Sequence, residues 1–286
     1  MNRSVQKTII KPNQRFDKNF ITAFICAVKN LFYLRELVYQ LFRRDLFAVY
    51  KRSFAGYAWI IVTPLAGILS WVFLHKAHII RPGDVGVPYP VYILLGTMIW
   101  GLFMGLLSSM MNAMDIYRFM LMKTAFPHEV IFGAEILIRL SQFALSFIII
   151  IPVLFFLGAV NVRGVLLFPL AIIPLSICAV ALGLLVSIMS VVSYDVKRII
   201  TGLIGLVMYI TPVIYSVDVI NNYWLKKLIN LNPLTYLVCT ARDILLYNRM
   251  YSLKGFALSS LMSVILLVVS WRIFYVSEDK IIERMI

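Results

Sequence analysis

Six stretches of this chain contain no Asp, Glu, Lys or Arg: residues 53–75, 85–114, 140–162, 164–194, 199–217 and 255–271. They run 23, 30, 23, 31, 19 and 17 residues and take up 143 of the 286. A helix crosses the hydrocarbon of a bilayer with about 17–25 apolar residues, so each stretch is a candidate span. A transmembrane β-barrel would instead show many segments of about ten residues alternating in hydropathy, which continuous apolar runs exclude. The hydrophobic share of 62% and charged share of 14% lie well outside the range of about 45–50% apolar and about 25% charged found in soluble domains. A mean hydropathy of +0.90 excludes disorder as well. The expected fold is therefore all-α, a polytopic membrane protein with six transmembrane helices.

The formal charge of +14 invites a nucleic-acid reading, but the basic residues cluster at the N-terminus and in short loops, where topogenic Lys and Arg sit. Tallying those loops puts seventeen Lys and Arg on one side and eight on the other, with Arg139 and Arg272 left to helix ends. Both termini should then be cytoplasmic. The apolar run 20–28 is short and lacks a small-residue cleavage site, so no cleavable signal peptide is expected. Cys26, Cys178 and Cys239 lie far apart with no metal-ligand spacing and are expected to be inert.

Two segments outside the spans carry information. Over 31–44, Leu31, Leu34, Leu37, Val38, Leu41 and Phe42 fall on one helical face and Glu36, Gln40, Arg43 and Arg44 on the other. Such a helix either lies flat at the cytoplasmic interface or packs on the chain's own loops. Residues 228–241 form an uncharged stretch around Asn232-Pro233, too short to span. It is expected as a helix-break-helix between the fifth and sixth spans, either re-entrant or an external hairpin.

No G-x-x-x-x-G-K-[ST] loop is present, so the chain is not expected to hydrolyse ATP, and no H-E-x-x-H, paired-carboxylate cluster or G-x-S-x-G motif points to other catalysis. Proton- or ion-driven carriers place titratable groups within the membrane. Here only Glu135 and Arg139 approach that position, and their four-residue spacing allows mutual neutralisation on one helical face. The energy source is thus expected in another chain. Trp59, Trp71, Tyr92 and Trp100 read as membrane anchors or channel lining, and Gly101 with Gly105 either as a small-xxx-small patch that brings helices close or as ordinary packing within the protomer.

The order of motifs resembles a known family. A basic amphipathic segment precedes Arg52-Ser-Phe-Ala-Gly-Tyr-Ala-Trp59 with Pro64, and Tyr89-Pro90 opens a Gly-rich second span. Met120-Leu-Met-Lys-Thr-Ala-Phe-Pro-His-Glu129 follows, then Asp195, Thr211-Pro-Val-Ile-Tyr215, Asn232-Pro-Leu-Thr-Tyr236, Arg242, and a mixed-charge tail from Phe274 to Arg284. From about Leu34 to the end, this is similar to the ABC-2 type permeases that export cell-surface polysaccharide.

The resemblance implies a homodimeric pore in a bacterial inner membrane, with two copies of a separate ABC nucleotide-binding subunit that would hold ATP and Mg. No cofactor is expected in this chain. It implies an ATPase-coupling helix over 115–127, with Tyr117, Arg118, Phe119, Leu121, Met122, Lys123, Phe126 and Pro127 as contact residues. Tyr57, Trp59, Tyr215, Asn232, Pro233 and Tyr236 are the corresponding channel or gate candidates. A lipid-linked polysaccharide would present an anionic group at headgroup depth, where Arg43, Arg44, Lys51 and Arg52 sit. That basic cluster either binds the substrate headgroup or anchors the chain to anionic lipid. The expected divisions are a basic extension over 1–30, an interfacial helix over 31–52, a transmembrane domain over 53–276 with a re-entrant region at 218–250, and a tail over 277–286. The rival readings are a permease for teichoic acid or a small hydrophobic substrate, a membrane enzyme acting on polyprenyl-phosphate sugars, and a channel or proton-coupled carrier.

Overall fold

The computed structural model describes residues 20–51, 56–58, 85–123, 127–160, 162–193, 195–217 and 220–285, with positions 62, 66–67, 69–70 and 73. Helices α1 (Phe20–Tyr33) and α2 (Arg35–Lys51) lead, and a 3-10 turn covers Gly56–Ala58. Next come α3 (Tyr89–Ile116), α4 (Arg118–Lys123), α5 (His128–Phe156), α6 (Val162–Val192) and α7 (Asp195–Ile210). The chain closes with α8 (Tyr223–Leu231), α9 (Pro233–Tyr247) and α10 (Leu253–Met285). Among the described residues there is no strand, as continuous apolar runs require.

Four helices are long and apolar enough to cross a membrane: Tyr89–Ile116, His128–Phe156, Val162–Ser190 and Leu253–Ser277. They correspond to the expected second, third, fourth and sixth spans. The first, 53–75, lies outside the described residues apart from the isolated positions above. The expected fifth, 199–217, is different. Its helix α7 stops at Ile210 after 16 residues, about 24 Å at 1.5 Å per residue and short of a 30 Å hydrocarbon core. Pro212 has no amide hydrogen to continue the helical ladder, and the chain turns at 211–215.

Helix α3 is the axis of the bundle, with Ile93, Phe103, Leu106 and Met110 fully buried. It packs on α6 and α5, while α6 also receives α9 and α10. Small residues set the close approaches. A Cβ on Gly183 of α6 would stand 2.5 Å from Met110 Cβ and 2.8 Å from the Leu107 carbonyl oxygen. Among the described residues Gly101 and Gly105 do not play that part: a Cβ on Gly101 meets none of them within 4 Å, and one on Gly105 reaches Arg139 Cδ at 3.8 Å and no other. The expected close contact is instead an open space. The outer faces of α5, α6 and α10 expose Ile148, Val153, Leu166, Leu170, Leu258 and Leu261, the apolar surface that lipid covers.

The N-terminal amphipathic pattern forms two helices, not one, with the break at Leu34. Val38 and Leu41 are buried, and α2 packs on α5, where a Cβ on Gly133 would stand 3.5 Å from Val38 Cγ1 and 2.7 Å from Leu31 Cδ2 at the end of α1. The apolar face thus covers a helix of the bundle. Helix α1 straddles the boundary drawn at residue 30 and packs on α10. Helix α10 in turn runs without a break through the expected tail boundary at 277.

Candidate sites at the two ends of the bundle

One end of the bundle carries the segment between the second and third spans. Asp115, at the end of α3, forms an ion pair with Lys197 on the first turn of α7. Tyr117 follows and is buried. Its hydroxyl lies 2.6 Å from Asp45 Oδ2 on α2 and 3.1 Å from Glu135 Oε1 on α5, so one phenolic proton serves two carboxylates. Burial, then the hydrogen bond to Asp45 and the neighbouring Glu135 charge, push this phenol up, keeping it protonated as the donor. Ser109 extends the network: it donates to Glu135 Oε2 at 2.7 Å and accepts from Arg139 Nε at 2.6 Å. Glu135 and Arg139 therefore meet through Ser109, a residue on another helix.

This network joins α2, α3 and α5 at the root of α4. Replacing Tyr117 with Phe removes the donor between Asp45 and Glu135 and should lower stability by about 1–3 kcal/mol, the cost of stranding a buried polar partner. Thermal melting of the detergent-purified protein would read it. The same substitution on a Glu135→Gln background should cost less, since a buried charge no longer depends on the phenol. Equal costs on the two backgrounds would show that the network is not coupled.

On α4 itself, Leu121 is buried in the bundle while Phe119 is 70% exposed and Met122 47% exposed. Lys123 Nζ sits 3.9 Å from the Phe119 ring centroid. Pro127 caps the start of α5 with an extended backbone. Arg118 is exposed, and Phe126 lies outside the described residues. His128 packs edge-on to Phe274 of α10 at 5.8 Å between ring centroids. Of the basic cluster on α2, Arg43 is exposed and Arg44 is engaged with Asp45 at 2.7 and 3.0 Å. That hydrogen bond holds the Arg44 guanidinium in its charged form. The side chains of Lys51 and Arg52 lie outside the described residues.

The opposite end holds the turn at 211–215. Asn232 ends α8 and caps α9: its Oδ1 accepts from Leu234 N at 3.0 Å, and its Nδ2 donates to Thr211 Oγ1 at 2.8 Å. Pro233, the first residue of α9, supplies the fixed φ suited to that position. From α3, Tyr89 and Tyr92 donate to the carbonyls of Ile214 at 3.0 Å and Tyr215 at 3.1 Å. Arg242 of α9 donates to the Pro212 carbonyl at 2.7 Å, and its guanidinium carbon lies 3.9 Å from the Tyr92 ring centroid. Tyr215 itself donates to Tyr209 O at 2.7 Å. Tyr236 donates to Asn230 O at 2.8 Å, and its ring lies where a Cβ on Gly255 would be, at 2.3 Å. Tyr57 and Trp59 have side chains outside the described residues.

Several of these participants were not singled out as site residues. A tally that leaves only Arg139 and Arg272 to helix ends treats Arg242 as a loop charge, yet it is 3% exposed and lies inside α9 beside buried Asp243. An adjacent Arg-Asp pair within apolar sequence was the available signal for a buried helix. Tyr92 and Trp100, expected as anchors or channel lining, are core residues. Asp45 and Ser109 had no signal, because their roles depend on helices distant in sequence.

The fold and these ends define a polytopic helical membrane protein in which a short, partly exposed helix projects from one end and a pinned turn closes the other. The profile of the ABC-2 type transporter family matches residues 36–246, and this chain belongs to that family. Among its relatives, the O-antigen export system permease protein RfbA of Myxococcus xanthus is 25% identical over 261 residues, covering 91% of this chain and 99% of that protein. An O-antigen export system permease protein RfbA of Klebsiella pneumoniae is 26% identical over 247 residues, covering 86% and 93%.

Proposed function

We propose that this chain is the membrane-spanning permease subunit of an ATP-binding-cassette exporter that moves a lipid-linked cell-surface polysaccharide across the bacterial inner membrane. The relatives named above are permeases of O-antigen export systems over nearly their whole length, which favours this substrate class. Each protomer would supply six spans, the fifth being 199–217 with its helix broken after Ile210, with both termini cytoplasmic. Two copies would form the pore, and two copies of a separate ATPase would bind ATP and Mg. The open face of α7, where Gly202 and Gly205 have nothing within 4 Å and Ile199, Leu203 and Leu206 are exposed, suits contact with the second copy. The division at 52 carries over as a working boundary, while α1 and α10 run across those at 30 and 276, and in the 218–250 region α9 is the buried arm and α8 the exposed arm.

The observation that carries the reading is α4. It is held from within by Leu121 and Tyr117 while Phe119 and Met122 point outward, the arrangement of a knob for a partner's groove. Buried aromatic anchors supply most of the energy at such contacts. Phe119→Asp should therefore abolish co-purification with the ATPase subunit and reduce surface polysaccharide at least tenfold, with the membrane level of the permease unchanged. Co-purification and export at the wild-type level would remove the coupling assignment. A deletion strain that still displays its full surface polysaccharide would remove the substrate class.

A further inference from the structure

The open space beside Gly101 and Gly105 is a cavity of about 430 Å³ between α3 and α5, with Gly67 of the 53–75 run also on its wall. Its walls run from Gly105 to Leu94 on α3 and from Arg139 to Ile150 on α5, roughly 16 Å along each helix at 1.5 Å per residue. The two ends differ chemically. Arg139 and Gln142 lie at one, whereas Leu94 and Ile150 form the other. The hydroxyls between them are turned inward on their own helices, Thr97 donating to Ile93 O at 2.8 Å and Ser146 to Gln142 O at 3.1 Å.

The donor count at the polar end decides what it can hold. Arg139 uses Nε toward Ser109 at 2.6 Å and one Nη1 hydrogen toward Gln142 Oε1 at 3.2 Å. Of the five guanidinium hydrogens, three have no acceptor among the described residues, and the Gln142 amide hydrogens have none either. The carboxylate of Glu135 is already engaged by Ser109 and Tyr117, and Asp45 by Tyr117 and Arg44. A half-buried site with spare N–H donors, its guanidinium balanced by Glu135 across Ser109, can hold an oxyanion through those hydrogen bonds.

Position then narrows the class. Arg139 immediately precedes the charge-free run 140–162, which places it at the edge of the hydrocarbon, and the cavity extends from it toward the bilayer interior. Arg139 and Gln142 also line a second cavity that reaches Arg44, Asp45 and Ala48 of α2 and has Glu135 on its wall. The two spaces share this pair, which gives a headgroup a route from the interfacial helix. We infer that the α3–α5 cavity binds a phosphate-bearing lipid, with its phosphate on Arg139 and Gln142 and its hydrocarbon chain along Leu94, Leu102 and Ile150. This deepens the transport reading, on which the choice of a polyprenyl pyrophosphate over a membrane phospholipid rests.

The test uses the purified full-length protein and native mass spectrometry with two probes, phosphatidylglycerol and undecaprenyl pyrophosphate. Arg139→Gln removes the charge, and Gly101→Leu fills the apolar half without touching the network around Ser109. Both variants are expected to weaken lipid retention about tenfold or more, the scale of losing a charge-assisted hydrogen bond or the chain contacts. Retention of the pyrophosphate lipid over phosphatidylglycerol identifies the cavity as a substrate site, and equal retention identifies a resident phospholipid. Both outcomes support the site. Wild-type retention of both probes in Gly101→Leu, which keeps every polar contact, would overturn it. Surface polysaccharide in the deletion strain separates the two readings, because lipid lost from both variants beside a deletion strain with its full polysaccharide leaves the site standing and removes the transporter reading.

Discussion

Replacing Arg242 with Leu is expected to destabilise the protein by about 3–5 kcal/mol, the usual cost of removing one member of a buried ion pair. Arg242 is 3% exposed and joins three elements at once. It donates to the Pro212 carbonyl, stacks on Tyr92 of α3, and sits 3.4 Å from Asp243. Leu fills much of the volume but leaves that carbonyl and Asp243 without this partner in a low-dielectric interior. The result should appear as a loss of protein from the membrane fraction and a lowered melting midpoint in detergent. Arg242→Lys should fall between, since it keeps the charge but not the planar stacking surface. A melting curve for Arg242→Leu that overlays the wild type would show that the turn at 211–215 stands without it.

Gly96→Ala should be the second severe substitution, although it adds only a methyl group. The new Cβ would lie 2.1 Å from the Val213 carbonyl oxygen. That atom is backbone, and its neighbours are pinned by Tyr89 on Ile214 and Tyr92 on Tyr215. The turn has little room to yield, so an overpacking cost of about 1–3 kcal/mol is expected, read as a lowered melting midpoint. Gly101→Ala on the same helix makes the contrast. With nothing within 4 Å of its Cβ, it should be neutral or gain up to about 1 kcal/mol of helix propensity. Equal effects at the two positions would contradict the difference in packing.

Much of the architecture was legible because lipid makes a severe demand. Charge cannot enter the hydrocarbon cheaply, so runs without Asp, Glu, Lys or Arg reveal spans almost by length alone. Helices α3, α5, α6 and α10 fall where those runs are. The same rule failed at 199–217, since absence of charge does not reveal where Thr211-Pro212 breaks a helix. It also misled at Arg242, whose charge is compensated inside the protein and so does not mark a loop.

Composition by itself determined that the chain is helical and membrane-embedded, and motif order carried the resemblance to the ABC-2 family that the match over residues 36–246 bears out, because hydropathy and local spacing are properties of contiguous residues. Only the tertiary structure decided which polar groups meet. Tyr117 is shared by Asp45, 72 positions away, and Glu135, 18 away, and Tyr89 reaches Ile214 across 125. The fate of Gly101 and Gly105 was decided there too. Two small residues four apart fit a tight crossing or an open cavity equally well, and it is the path of α5 with Arg139 beside them that makes the space a cavity.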